Sequence, residues 1–171
     1  YQRFGTSKQG DPYAMDTMTI ADGALYDTEV VDPSLRGLTF FANTTTFSAN
    51  GAGTKTYRQD TNLVGRGCAM PAGYSILAKG LVVEIKGLTK ADEEKVMASA
   101  LALMFNGQRR VEAVRIGDAI KSNGYAPFSV AYDLGNRVQF SVSMEKIPEG
   151  LSAPFTMKVS FVGAFRVPIS G

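Results

Sequence analysis

Phe155-Thr-Met-Lys-Val-Ser-Phe-Val-Gly-Ala-Phe-Arg-Val167 decides the fold class. Met157, Val159, Phe161, Phe165 and Val167 fall on one face, and Lys158, Ser160 and Arg166 on the other. A period of two with one apolar face describes a strand lying over a core, its second face in water. Asn136–Met144 repeats the pattern, with Val138, Phe140, Val142 and Met144 opposite Gln139, Ser141 and Ser143. Tyr74–Lys86 is a longer strand in which Leu77, Leu81, Val83 and Ile85 share a face that Lys79 interrupts. Leu38–Phe47, Lys55–Leu63, Arg109–Gly117 and Ala126–Asp133 read as further strands, rich in Thr, Val and aromatics. Asn123-Gly124, Leu134-Gly135-Asn136 and Pro148-Glu149-Gly150 supply turns between them.

One segment breaks the strand rhythm. Thr89 is a good N-cap, and Asp92, Glu93 and Glu94 suit the positive end of a helix dipole. Val96, Met97, Ala100, Leu101, Met104 and Phe105 recur at helical spacing, and Asn106-Gly107 would close the helix. The spacing predicts a single helix over 90–105, packed on its own sheet. Residues 1–35 show no period and are expected to form an extended N-terminal arm, with one short strand near Met15–Ala21. The expected organisation is an arm (1–35) and a β domain (36–171) of seven or eight strands. Short strands without a βαβ rhythm argue for a mainly β, antiparallel sandwich or jelly roll with one inserted helix.

Composition narrows the chemistry. The 171 residues are 44% hydrophobic and 20% charged, which is globular and excludes a disordered or collagen-like chain. There is no histidine, which removes His-based triads, Cys-His nucleophiles and histidine metal clusters. The one cysteine, Cys68, allows no intrachain disulfide and reads as a small buried or half-buried residue. No apolar run reaches the length of a membrane-spanning helix, and no signal-peptide pattern is visible. No cofactor, metal or catalytic set is expected. A carboxylate pair for glycoside hydrolysis would have to come from Asp60 with Asp118, or Glu84 with Asp133. Arg109, Arg110, Arg115 and Lys121 could touch phosphate, but they read more simply as a charged strand edge. Asn43-Thr-Thr45 is a glycosylation sequon, meaningful only in a secreted eukaryotic protein.

The net charge of +2 is unevenly spread. Residues 1–35 carry two basic and six acidic residues, a net of −4, and residues 36–171 carry 16 basic and 10 acidic, a net of +6. An acidic leader on a basic body suggests docking, within the molecule or along a neighbouring copy. Nucleic-acid arms have the opposite sign, so specific nucleic-acid binding is not expected.

Three stretches together carry a resemblance: Tyr57-Arg-Gln-Asp-Thr-Asn-Leu63, Met70-Pro-Ala-Gly-Tyr-Ser-Ile-Leu-Ala-Lys-Gly-Leu-Val-Val-Glu-Ile85 and Pro154–Pro168. Their order resembles the single jelly-roll capsid proteins of icosahedral, tailless bacteriophages. The resemblance covers about a third of the chain and places Asp60, Thr61 and Asn62 as structural residues of the family pattern. It implies a virion protein that assembles with copies of itself into ring-shaped capsomers and a shell. Partners would be other capsid proteins and, as often in this group, an internal membrane. The competing readings are a carbohydrate- or receptor-binding jelly roll, for which Tyr125, Tyr132 and Asp133 are the candidate residues, and a hydrolase.

Overall fold

In the computed structural model, residues 18–48, 51–63, 70, 73–107, 109–135 and 138–168 are described. The elements run β1 (Met18–Val31), β2 (Leu38–Phe40), β3 (Ser75–Lys86), α1 (Lys90–Met97), β4 (Ala100–Phe105), β5 (Arg109–Arg115), α2 (Ile116–Lys121), β6 (Tyr125–Gly135), β7 (Phe140–Met144) and β8 (Phe155–Pro168). They form two four-stranded sheets, ordered β1-β8-β3-β6 and β2-β7-β4-β5, with every ladder antiparallel. The fold is therefore mainly β, with two antiparallel sheets in a sandwich-like arrangement.

The core lies between the sheets. Phe161 of β8 sits 5.0 Å from the ring of Phe41, 5.6 Å from Phe140 of the opposite sheet and 6.3 Å from Phe128 of β6. Phe155, Met157, Val159 and Phe161 are buried along β8, as are Phe140, Val142 and Met144 along β7, on the faces that alternation assigns to them. The side of the sandwich between β5 and β6 is tied by Glu112, which accepts the Ser129 hydroxyl at 2.7 Å and the Tyr132 hydroxyl at 3.0 Å.

The N-terminal boundary differs from the expected one. Residues 18–31 belong to the sandwich: β1 pairs with β8 along its whole length, from Met18↔Pro168 to Val31↔Phe155. Leu25 and Val31 are buried in the shared core. The weak alternation there hides a strand because two core-facing positions carry charge. The expected strand at Met15–Ala21 starts outside the described residues, as does the rest of the leader through residue 17.

The helix is also shorter than expected. Helix α1 ends at Met97, and Ala100–Phe105 is β4, a central strand between β7 and β5. Ala-Leu-Ala-Leu-Met-Phe is an apolar run that fits either period. The hairpin that follows selects the strand: Asn106 (φ 54°) and Gly107 (φ 74°) take the left-handed conformation that turns β4 back into β5. The last residues of the expected strand Arg109–Gly117 instead begin a second helix, α2. Gly117 permits its contact with α1, because a Cβ there would lie 2.7 Å from the Met97 carbonyl oxygen.

Two other expected strands are mostly loop. Leu38–Phe47 is strand only through Phe40, and Phe41 leaves the ladder at φ 72°. Lys55–Leu63 is turns with one isolated bridge, Tyr57↔Thr61, and another, Thr46↔Thr54, lies just before it. In β3 a bulge between Ala78 and Gly80 switches which residues point inward. Ile76 and Ala78 are therefore buried before it, in place of Leu77, and Leu81 and Val83 after it.

Candidate functional site

Among the described residues β1 is an edge strand, so half of its backbone groups lack a ladder partner there. Residues 58–62 cover that edge. Asn62 accepts the Tyr26 N–H through Oδ1 at 2.8 Å and donates through Nδ2 to the Ala24 carbonyl at 2.7 Å. The Thr61 hydroxyl donates to the Tyr26 carbonyl at 3.0 Å. The Asp60 carbonyl accepts the Thr28 hydroxyl at 2.8 Å, while its carboxylate receives the Thr56 N–H at 2.7 Å. The Tyr26 hydroxyl donates to the Arg58 carbonyl, and Lys158 lies 4.2 Å above its ring centroid. Asp60-Thr61-Asn62 thus protects a sheet edge, a structural task.

Beneath this cover sits the most unusual chemistry among the described residues. Asp27 and Glu29 occupy core-facing positions of β1, opposite Val159 and Met157. Lys55 enters from the loop between β2 and β3. Its Nζ lies 2.8 Å from Asp27 Oδ1, 3.1 Å from Asp27 Oδ2 and 3.0 Å from Glu29 Oε1, and donates to the Asn43 carbonyl. The side chains of Lys55 and Asp27 are fully buried and that of Glu29 is nearly so. Phe47 walls the site, its ring centroid 5.8 Å from Nζ. Asp27 Oδ2 also accepts the Phe41 N–H at 2.7 Å.

Burial governs the protonation of both acids. It pushes Asp27 up, against the opposing pull of Lys55 and the Phe41 N–H. It pushes Glu29 up to about 7, with Asp27 adding to the rise and Lys55 holding it back. Glu29 Oε1 stands close to the ammonium as an ion pair, without full hydrogen-bond geometry. The site therefore joins one amine, one carboxylate in bidentate contact with it, and a second carboxyl with an unengaged oxygen.

Sequence reasoning placed Asp27 and Glu29 in the arm and Lys55 in a strand, and so missed the cluster. A signal did exist. Leu25, Asp27, Glu29 and Val31 alternate, and two acids framed by buried apolar residues on one strand face require a buried cation.

The other candidates do not converge. Asp60 lines a cleft with Glu84 and Lys158, whereas Asp118 lines another with Glu93, Arg115 and Lys121. Glu84 stands seven residues along β3 from Leu77, the partner of Asp133, which is about 23 Å of strand. That exceeds the separation two glycosidase carboxyls use. Asp133 pairs with Arg166 at 3.4 Å. Tyr125 and Tyr132 lie opposite Val82 and Ala78 on β3, so they form no joint sugar platform. Tyr125 covers Gly80, while Tyr132 packs on Phe105 and Phe128. Arg109 and Arg110 begin the edge strand β5 and Arg115 ends it, so they make no single basic patch. Asn43 is exposed and its side-chain carbonyl accepts the N–H groups of Thr45 and Thr46, closing a local turn. Cys68 lies outside the described residues. Among the described residues no group of three or more His, Cys, Asp or Glu could hold a metal ion, and no helix is long and apolar enough to cross a membrane. No family model and no curated protein matches this chain.

Proposed function

We propose that the chain is a viral structural protein, a single jelly-roll subunit that self-assembles into ring-shaped capsomers and an icosahedral shell of the tailless-phage kind. The carrying observation is the strand pairing. First pairs with last and third with sixth in one sheet, second with seventh and fourth with fifth in the other. A long antiparallel hairpin rolled so that successive pairs alternate between two sheets would give this connectivity, which supports the jelly-roll reading. The three stretches that carry the capsid resemblance also gather on one sheet: 57–63 covers the free edge of β1, 70–85 leads into β3, and 154–168 contains β8. The scattered carboxylates and tyrosines give less support to a hydrolase or a lectin-like domain.

Sedimentation velocity and negative-stain microscopy of the purified chain over a concentration series test the reading. Rings or closed shells of many copies are expected. A chain that stays monomeric throughout overturns it, and a monomer with measurable affinity on a glycan array supports the carbohydrate-binding alternative instead.

A further inference from the structure

The geometry points to an intramolecular amide bond between the Lys55 side-chain nitrogen and the Asp27 side-chain carboxyl carbon, formed inside the folded chain with Glu29 as the proton carrier. It rests on the Asp27–Lys55–Glu29 cluster alone and does not depend on the assembly reading.

Three requirements of such a reaction meet here. The first is proximity. Nζ sits at 2.8 and 3.1 Å from the two oxygens of one carboxyl group, and the fold holds both ends. Two groups fixed this way react with an effective concentration far above any bimolecular encounter. The second is dryness. Both side chains are fully buried, so the ammonium–carboxylate pair lacks the hydration that makes it inert in water. The third is a proton carrier. Glu29 Oε1 is 3.0 Å from Nζ and carries no hydrogen bond of its own. Glu29 titrates near neutrality, at about 7, where a general acid–base works best.

The step balances without any co-reactant. Lys55 begins as the ammonium and Asp27 as the carboxylate. Glu29 takes a proton from the ammonium, and the freed amine attacks the Asp27 carboxyl carbon. One C–N bond forms. Glu29 passes protons from the nitrogen to a departing carboxyl oxygen, one C–O bond breaks, and one water leaves. Glu29 ends as it began, the pair's opposite charges are gone, and nothing is oxidised or reduced. The amide N–H that remains can still donate to the Asn43 carbonyl, which already accepts from Nζ. The product would covalently tie the loop carrying Lys55 to β1, closing a ring that runs from residue 27 to residue 55.

Intact-mass spectrometry of the full chain under denaturing conditions tests this. The expected mass is the sequence mass less one water, with a branched proteolytic peptide joining Asp27 to Lys55 in tandem spectra. Lys55→Ala and Asp27→Ala should each restore the full mass. Both remove half of a buried pair, a change that by itself endangers the fold, so Glu29→Gln is the decisive variant. It keeps shape and both reacting groups, and should retain the far-ultraviolet dichroism of the wild type while showing at least a tenfold slower loss of water. A folded wild-type chain at full sequence mass overturns the proposal. So does a water loss mapped to another site, or a Glu29→Gln chain that couples as fast as the wild type.

Discussion

Asp92, in the first turn of α1, receives three hydrogen bonds from Ser152, sixty residues away: the N–H reaches Oδ1 and Oδ2 at 3.0 Å each, and the hydroxyl reaches Oδ2 at 2.9 Å. The carboxylate therefore does more than suit a helix dipole. It fastens the helix between β3 and β4 to the loop between β7 and β8. Lys95 adds a bond to the Gly150 carbonyl at 2.9 Å.

Burial raises the Asp92 carboxyl, but bonds from Ser152, the Thr89 side chain and the Ala153 N–H outweigh it and leave the group below its ordinary 3.8. A lowered acid stabilises the fold above its unfolded value and loses that contribution as pH falls through the folded one. Asp92→Asn should lower the thermal midpoint at pH 7, and the gap to wild type should shrink below pH 3.8. Equal midpoints at pH 7 would show that the clasp carries no stability.

Glu29 gives a slope of the opposite sign. Its carboxyl rises from 4.5 unfolded to about 7 folded, so between these values the native state binds the extra proton. Stability should fall as pH rises through that window, by a few kcal/mol at most after solvent screening. Raised Asp27 acts in the same direction. Coupling of Lys55 to Asp27 removes the cation that holds Glu29 down, which moves the slope to higher pH and keeps its sign. Urea midpoints between pH 5 and 8 measure it, and Glu29→Gln should flatten the curve.

Phe161→Ala removes the ring that contacts Phe41, Phe140 and Phe128. The loss should be about 3–5 kcal/mol from burial and cavity together. A loss below about 1 kcal/mol in chemical denaturation would mean that the two sheets do not meet there.

Gly163→Ala should prevent folding or yield insoluble chain, because its Cβ would fall 1.8 Å from the Leu77 carbonyl oxygen. The obstacle is backbone, which cannot swing aside. A soluble variant with native dichroism would show that the β3–β8 ladder is looser at the bulge.

Removing residues 1–31 should unfold the domain, since it strips an edge strand with Leu25, Asp27 and Val31 in the core and leaves Lys55 without its partners. Asn62→Ala should cost less, about 1–3 kcal/mol, by leaving the Tyr26 N–H and Ala24 carbonyl uncovered. Limited proteolysis should then cut first near the exposed edge.

The strands of β3, β7 and β8 were legible because an apolar face recurring every second residue has few other solutions. Asn123-Gly124 likewise announced the turn between α2 and β6, where both residues take positive φ. Three features needed the tertiary structure. Ala100–Phe105 is apolar at both periods, and its place between β7 and β5 made it a strand. β1 resembled a loose acidic leader because Asp27 and Glu29 stand where apolar residues would. Only the arrival of Lys55, twenty-eight residues from Asp27 in sequence, makes those positions tolerable. Local pattern specifies which face a side chain takes; which cation meets a buried carboxylate depends on long-range chain packing, and that no local period records.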